Sequence, residues 1–135
     1  MKKINLVTSI DRILAKDIPL FSQVGDTVRI SDNLEWIPIA IKPHAQLTVS
    51  NKVEDSVRMY TAKLVFKTCE DLKVTGRWVY RCRLSDGRYL LIGSNVRPFT
   101  ETSSVESRPE NVTENQLNEV TVDWKQTRPV PQIVP

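Results

Sequence analysis

The chain of 135 residues carries few side chains that could do chemistry. Its one histidine, His44, sits between Pro43 and Ala45 in an expected turn. A histidine works as a general acid or base where burial and charged partners tune it, and no such partner stands beside it. The adjacent acids Glu54-Asp55 and Glu70-Asp71 fall at apparent turns, where carboxylates face solvent rather than form a catalytic pair. The four glycines, Gly25, Gly76, Gly87 and Gly93, are isolated. That excludes a phosphate-binding loop and a dinucleotide fingerprint. Neither G-x-S-x-G nor an EF-hand spacing occurs. Cys69 and Cys82 form no CxxC motif, and with a single histidine they are too few to hold zinc. Free thiols in a reducing cytoplasm are expected, with a disulfide between adjacent strands as the alternative. The residues therefore predict no catalytic group, no cofactor, no metal and no enzymatic activity.

Arginines offer more. Arg77, Arg81, Arg83 and Arg88 lie on one segment, with Trp78, Tyr80 and Tyr89 between them. Basic and aromatic side chains on a sheet can follow a phosphate backbone and stack bases. Strand alternation, however, places Trp78 and Tyr80 on the face opposite Arg77, Arg81 and Arg83, so those rings belong to a core. A net charge of +3 is also small for a dedicated nucleic-acid binder. The guanidinium face suits a carboxylate-bearing protein surface at least as well.

The elements that must position these residues are strands. Tyr60, Ala62, Leu64 and Phe66 alternate with Thr61, Lys63 and Lys67, a period of two with one buried side. Trp78, Tyr80, Cys82 and Leu84 alternate with Arg77, Arg81 and Arg83 in the same way. Ser85-Asp86-Gly87 follows, and Asp-Gly before Arg88 to Ile92 predicts a hairpin. Val120, Val122 and Trp124 form a third buried row. Thr27–Ile30, Trp36–Ile41 and Gln46–Ser50 are weaker strands, with Pro38 fitted only to an edge or a bulge. Ile4–Thr8 reads as a strand, whereas Ile10, Ile13 and Leu14 have helical spacing, with Ser9 as a cap. No long amphipathic helix or internal repeat occurs. The expected fold is mainly β, an antiparallel sandwich or small barrel, with α+β as the alternative.

Two stretches read as connections. Residues 100–117 are polar and predict a long loop, with a short helix around Glu114 to Leu117. Residues 128–135 alternate proline with aliphatic groups and predict an extended arm. The domain division is thus a β-rich unit over 1–127 and an arm over 128–135. Charge is uneven: residues 100–135 hold three basic and six acidic side chains, and residues 1–99 hold sixteen and ten. Such a basic body and acidic end could pair head to tail between copies, or the acidic end could simply be solvated. No window reaches the ~18 apolar residues of a membrane span. Asp11, Arg12, Lys16 and Asp17 interrupt the apolar run that a secretory signal would need. Asn111-Val112-Thr113 matches a glycosylation sequon, which has meaning only in a secreted chain.

The run Asp86-Gly87-Arg88-Tyr89-Leu90-Leu91-Ile92-Gly93-Ser94-Asn95-Val96-Arg97-Pro98-Phe99, a polar stretch, and then Val120-Thr121-Val122-Asp123-Trp124-Lys125 together resemble small structural proteins of phages and prophages of Bacteroides-type hosts, crAss-like phages included. The likeness covers about residues 58–127. Its motifs are structural, so no site residue carries over. The resemblance implies a virion component, assembled in the host bacterial cytoplasm, acting as a ring subunit of the tail or head–tail connector. Its partners would be copies of itself and other virion proteins, without a membrane or nucleic acid. The expected contact residues are Arg77, Arg81, Arg83 and Arg88, with Pro129, Val130, Pro131 and Ile133 of the arm. The alternative is a small β-barrel module binding nucleic acid through the four arginines.

Overall fold

In the computed structural model, which describes residues 2–31, 34–68, 75–95, 99–107 and 117–133, eleven strands form one open mixed sheet. The side chains of 2–5, 42–44, 105–107 and 117 lie outside that description. In chain order the strands are β1 (Lys2–Leu14), β2 (Phe21–Val24), β3 (Thr27–Ile30), β4 (Ile37–Ile39), β5 (Lys42–Glu54), β6 (Val57–Thr68), β7 (Trp78–Leu84), β8 (Tyr89–Ile92), β9 (Glu101–Ser107), β10 (Leu117–Gln126) and β11 (Gln132–Ile133). A 3-10 turn over Ala15–Asp17 is the only helical element among the described residues. The fold is mainly β, as expected.

The sheet runs β2-β3-β11-β8-β7-β1-β5-β6-β10-β9, with β4 beside β1. Pairing is antiparallel except where β11 runs parallel to β3. β1 is the hub. One edge pairs with β7 from Val7 to Leu14. The other pairs with β5 over Lys2–Val7 and with β4 over Ile10–Arg12. Pro38 opposes Asp11 in β4, which pairs with β1 alone, the edge setting that a residue without an N–H requires. Thr8 is the extra residue of a bulge in β1, and its hydroxyl donates to the carbonyl of Arg83 at 3.2 Å.

The sheet curls back on itself in sandwich-like fashion. β9 stands five places from β7, a separation of about 24 Å in a flat sheet. Yet the hydroxyls of Tyr80 on β7 and Thr102 on β9 lie 2.7 Å apart. Inside this curl sits the main core of Val7, Ile10, Leu47, Ala62, Leu64, Phe66, Trp78, Tyr80, Cys82, Val120, Val122 and Trp124 with their neighbours. The rows expected on β6, β7 and β10 all face it. A second core of Ile13, Ala15, Ile18, Val28, Val79 and Leu91 covers the opposite face of β1, β7 and β8.

That second core explains the first correction. Residues 4–14 read ambiguously, with helical spacing at Ile10, Ile13 and Leu14, but β1 continues as a strand through Leu14. Ile10 faces one core and Ile13 the other. Burial on both faces of a strand can reproduce the spacing of a helix. The second correction concerns the polar stretch 100–117. Glu101–Ser107 is strand β9, paired along β10. It lacks large apolar residues because its inward Thr102 meets the large Tyr80 ring, so a small hydroxyl side chain fills the space. The expected helix at Glu114 to Leu117 lies largely outside the described residues, and β10 begins at Leu117.

The third correction concerns the arm. Residues 128–135 were expected to lie free or along a partner. Instead β11 is inserted between β3 and β8. The N–H of Leu91 donates to the Pro131 carbonyl at 3.0 Å. Pro131 is buried, Val130 packs on the main core and Ile133 on the second. Hairpin turns follow the local chemistry. The Ser85-Asp86-Gly87 turn is present, with Gly87 at φ +90° and the N–H of Gly87 donating to Leu84 at 3.0 Å. Gly93, at φ +120°, lies so close to β7 that an added Cβ would stand 3.2 Å from the Val79 Cα.

Candidate functional site

The β7–β8 hairpin sets the arginines. Its inward residues Trp78, Tyr80, Cys82 and Leu84 are buried. Strand alternation then turns Arg81 and Arg83 outward. Arg83 is exposed and opposes Tyr89 across the hairpin, its guanidinium 6.0 Å from the ring centroid. Arg81 is held more firmly. Its Nη2 and Nε donate to one Asp11 carboxylate oxygen at 2.6 and 3.1 Å. Its guanidinium also lies 4.7 Å from the Trp36 ring and 5.2 Å from the Tyr89 ring. Cation–aromatic contacts of this kind contribute about 0.5–1 kcal/mol each at exposed sites.

The four arginines therefore do not form one open patch. Arg81 and Arg83 share a face with Tyr89. Arg77 stands apart, over the Phe99 ring at 4.4 Å. Arg88 folds back on its own turn, its Nε 2.6 Å from Asp86 Oδ2 and its N–H 3.0 Å from Oδ1. These contacts hold the Asp86 carboxyl below the usual range, with the backbone bond from Arg88 the larger cause. Arg88 fixes a turn. Sequence reading missed Asp11 and Trp36, which flank Arg81 from distant segments; the period-two pattern around Asp11 was obscured by burial on both sides of β1.

The expected contact residues of the arm are engaged within the chain. The Pro129 carbonyl accepts from Gln23 Nε2 at 2.8 Å and from Gln126 Nε2 at 3.3 Å. With Val130, Pro131 and Ile133 packed as described, none of the four projects as a free arm.

Strand edges stay open instead, at both ends of the sheet and at β4. β2 pairs only with β3, and β9 only with β10, among the described residues. Val24 on β2 is 75% exposed, and Leu20 just before it 56%.

The remaining candidates for chemistry separate. Glu54 lies between Lys52 Nζ at 2.9 Å and Lys125 Nζ at 3.1 Å. The hydrogen bond from Lys52, then that from Lys125, hold its carboxyl below the usual range. The side chain of His44, and Cys69, Glu70 and Asp71, lie outside the described residues. Among the described residues no three His, Cys, Asp or Glu side chains converge as metal ligands would. No helix among them is long and apolar enough to cross a membrane.

Cys82 is a free, fully buried thiol whose desolvation pushes its pKa well above the ordinary range. Burial likewise raises the Tyr80 phenol, against the opposing hydrogen bonds of Thr102 and Arg12. Arg12 is itself buried, its guanidinium 3.8 Å from the Trp78 ring centroid. Comparison with known proteins matches the chain to no family model, no curated protein and no solved structure.

Proposed function

We propose that the chain is a non-enzymatic bacteriophage structural protein, a subunit of an oligomeric ring in the tail or head–tail connector. Its place is the virion, and its partners are copies of itself and neighbouring virion proteins. The observation that carries the reading is the open sheet, which ends on two unpaired edges, β2 and β9, among the described residues. Open edges promote strand pairing between chains, and proteins that remain monomeric usually blunt or cover them. The exposed Leu20 and Val24 add apolar surface at the β2 edge. The resemblance over residues 58–127 supplies the particle in which such a subunit would serve.

The test is the native mass, measured by light scattering and native mass spectrometry from about 1 to 100 μM, with electron microscopy of the assembled species. A closed ring of one stoichiometry is expected. A chain that stays monomeric across that range, alone and with its neighbouring virion proteins, overturns the reading.

A second reading, nucleic-acid binding, draws on Tyr89 and Trp36 beside Arg81. It is weaker because Arg81 is paired with Asp11, and because Trp78 and Tyr80 lie in the core. Anisotropy with a single-stranded oligonucleotide at two salt concentrations tests it; tight binding with a steep salt slope is its signature.

A further inference from the structure

The β7–β8 turn contains a bond that can rearrange without any enzyme. Asp86 precedes Gly87, and an aspartyl–glycyl pair cyclises readily because glycine places no Cβ beside the attacking nitrogen. In that reaction the Gly87 backbone nitrogen attacks Cγ of the protonated Asp86 carboxyl. The nitrogen gives up its proton, the carboxyl gives up its hydroxyl, and the two leave as water. The resulting five-membered imide takes up water at either carbonyl. Opening at the side-chain carbonyl returns aspartate. Opening at the main-chain carbonyl gives isoaspartate, whose extra methylene lies in the backbone.

The fold keeps this pair in place. Gly87 has φ +90°, where a side chain is strained, so the turn favours glycine. Asp86 and Gly87 are exposed, and a Cβ added to Gly87 would meet nothing within 4 Å, so packing guards neither reacting atom. Hydrogen bonds guard both. The Gly87 N–H donates to the Leu84 carbonyl at 3.0 Å. One residue engages both carboxylate oxygens: the Arg88 N–H donates to Oδ1 at 3.0 Å and Arg88 Nε to Oδ2 at 2.6 Å. The backbone bond first, then the side-chain bond, keep the carboxyl below its usual range, which depletes the protonated form that cyclises. Intramolecular attack also needs the reacting atoms aligned at about 3–3.5 Å. Asp86 reaches that alignment only by turning its carboxyl out of the grip of Arg88.

We propose that Asp86 is a site of backbone isomerisation held closed by Arg88, whose guanidinium fixes the carboxylate against ring closure with the Gly87 nitrogen. Arg88 is thereby a positioning residue that protects the covalent chain. The hairpin is what it preserves. An added methylene at Asp86 displaces the 2.8 Å bond from the Leu84 N–H to the Arg88 carbonyl that closes the turn, and with it the register that sets Arg83 opposite Tyr89. Every group involved lies in one turn of one chain, so the protection does not depend on assembly.

The unaltered chain, Arg88→Ala and Arg88→Lys are incubated side by side at neutral pH. Isoaspartate at Asp86 is read by isoaspartyl methyltransferase labelling and by peptide mapping. Thermal unfolding checks that each variant folds. The unaltered chain in urea supplies the unprotected rate, a comparison that needs no variant. Folded unaltered chain is expected to isomerise slowest. Arg88→Ala is expected to gain about fivefold, the most that an exposed ion pair holds back. Arg88→Lys, which keeps a cation within reach of Oδ2, stays near the unaltered rate.

A folded Arg88→Ala chain that isomerises no faster than the unaltered one overturns the role of Arg88. Equal acceleration in the alanine and lysine variants means that any change at this position loosens the turn, and overturns it as well. An unaltered chain that isomerises as fast folded as in urea shows that the turn is not held closed.

Discussion

The backbone N–H of Gln132 donates to the carbonyl of Asp26 at 2.8 Å, binding the C-terminal strand to the turn between β2 and β3. This contact makes the last residues part of the fold. A truncation is therefore expected to cost stability.

A chain ending at Arg128 loses β11 together with Val130, buried Pro131 and Ile133, and leaves the facing edges of β3 and β8 unpaired. Removing several buried apolar groups costs about 3 kcal/mol or more. The midpoint of thermal unfolding, followed by circular dichroism, is expected to fall by roughly 10 °C or more. A truncated chain that melts with the full-length one would show that the segment is an accessory arm after all.

The β5–β6 hairpin turns through Asp55 and Ser56, at φ +49° and +65°. Two successive positive φ angles define the tight turn that prefers glycine, and Ser56 is strained there. Ser56→Gly is expected to stabilise the protein by about 0.5–1 kcal/mol. Urea unfolding reads this as a higher midpoint at unchanged slope. A lower midpoint contradicts the turn geometry.

Arg12 carries a charge into the core, over Trp78 and against Tyr80. Desolvation of such a group offsets most of what its contacts contribute. Arg12→Met keeps much of the volume without the charge and is expected to change stability by less than about 1 kcal/mol, in either direction. Arg12→Ala also leaves a cavity beneath Trp78 and is expected to lose about 2–4 kcal/mol. Equal losses in the two variants would mean that the charge, not the volume, matters.

The buried Cys82 and Tyr80 give stability a pH dependence with a definite sign. Both groups have folded-state pKa values raised above their unfolded values, by burial first in each case. Between those values the unfolded chain has lost protons that the folded chain retains, so stability falls as pH rises. It is full below the unfolded thiol value of about 8.5 and declines above it, more steeply beyond the phenol value of about 10. Denaturant unfolding from pH 7 to 10.5 measures the slope. In a Cys69→Ser chain, a thiol reagent should react with Cys82 only after unfolding; fast native reaction would contradict its burial.

Where one face of a strand meets one core, alternation was legible in the residues. β6, β10 and the Tyr80–Leu84 part of β7 show this, as does the Ser85–Gly87 turn, whose geometry is local. The errors share a cause. Ile10 and Ile13 belong to different cores, so a strand covered on both sides imitated a helix. β9 needed no bulky residue because Tyr80 fills the space before Thr102. Pro131 and Ile133 suggested a loose arm because nothing local reveals the gap between β3 and β8. The arginine face was only partly legible, since Asp11 and Trp36 reach Arg81 through tertiary contacts.

The position of β1 has a consequence for biosynthesis. β1 lies mid-sheet, and its partner β7 is made some seventy residues after it. Val7 and Ile10 face one core and Ile13 the other, so until β7 arrives the nascent chain exposes apolar groups on both sides of this strand. The sheet cannot be completed until the closing segment at 129–133 has emerged. Folding is thereby deferred until that segment is made, and release of a polypeptide lacking it favours aggregation.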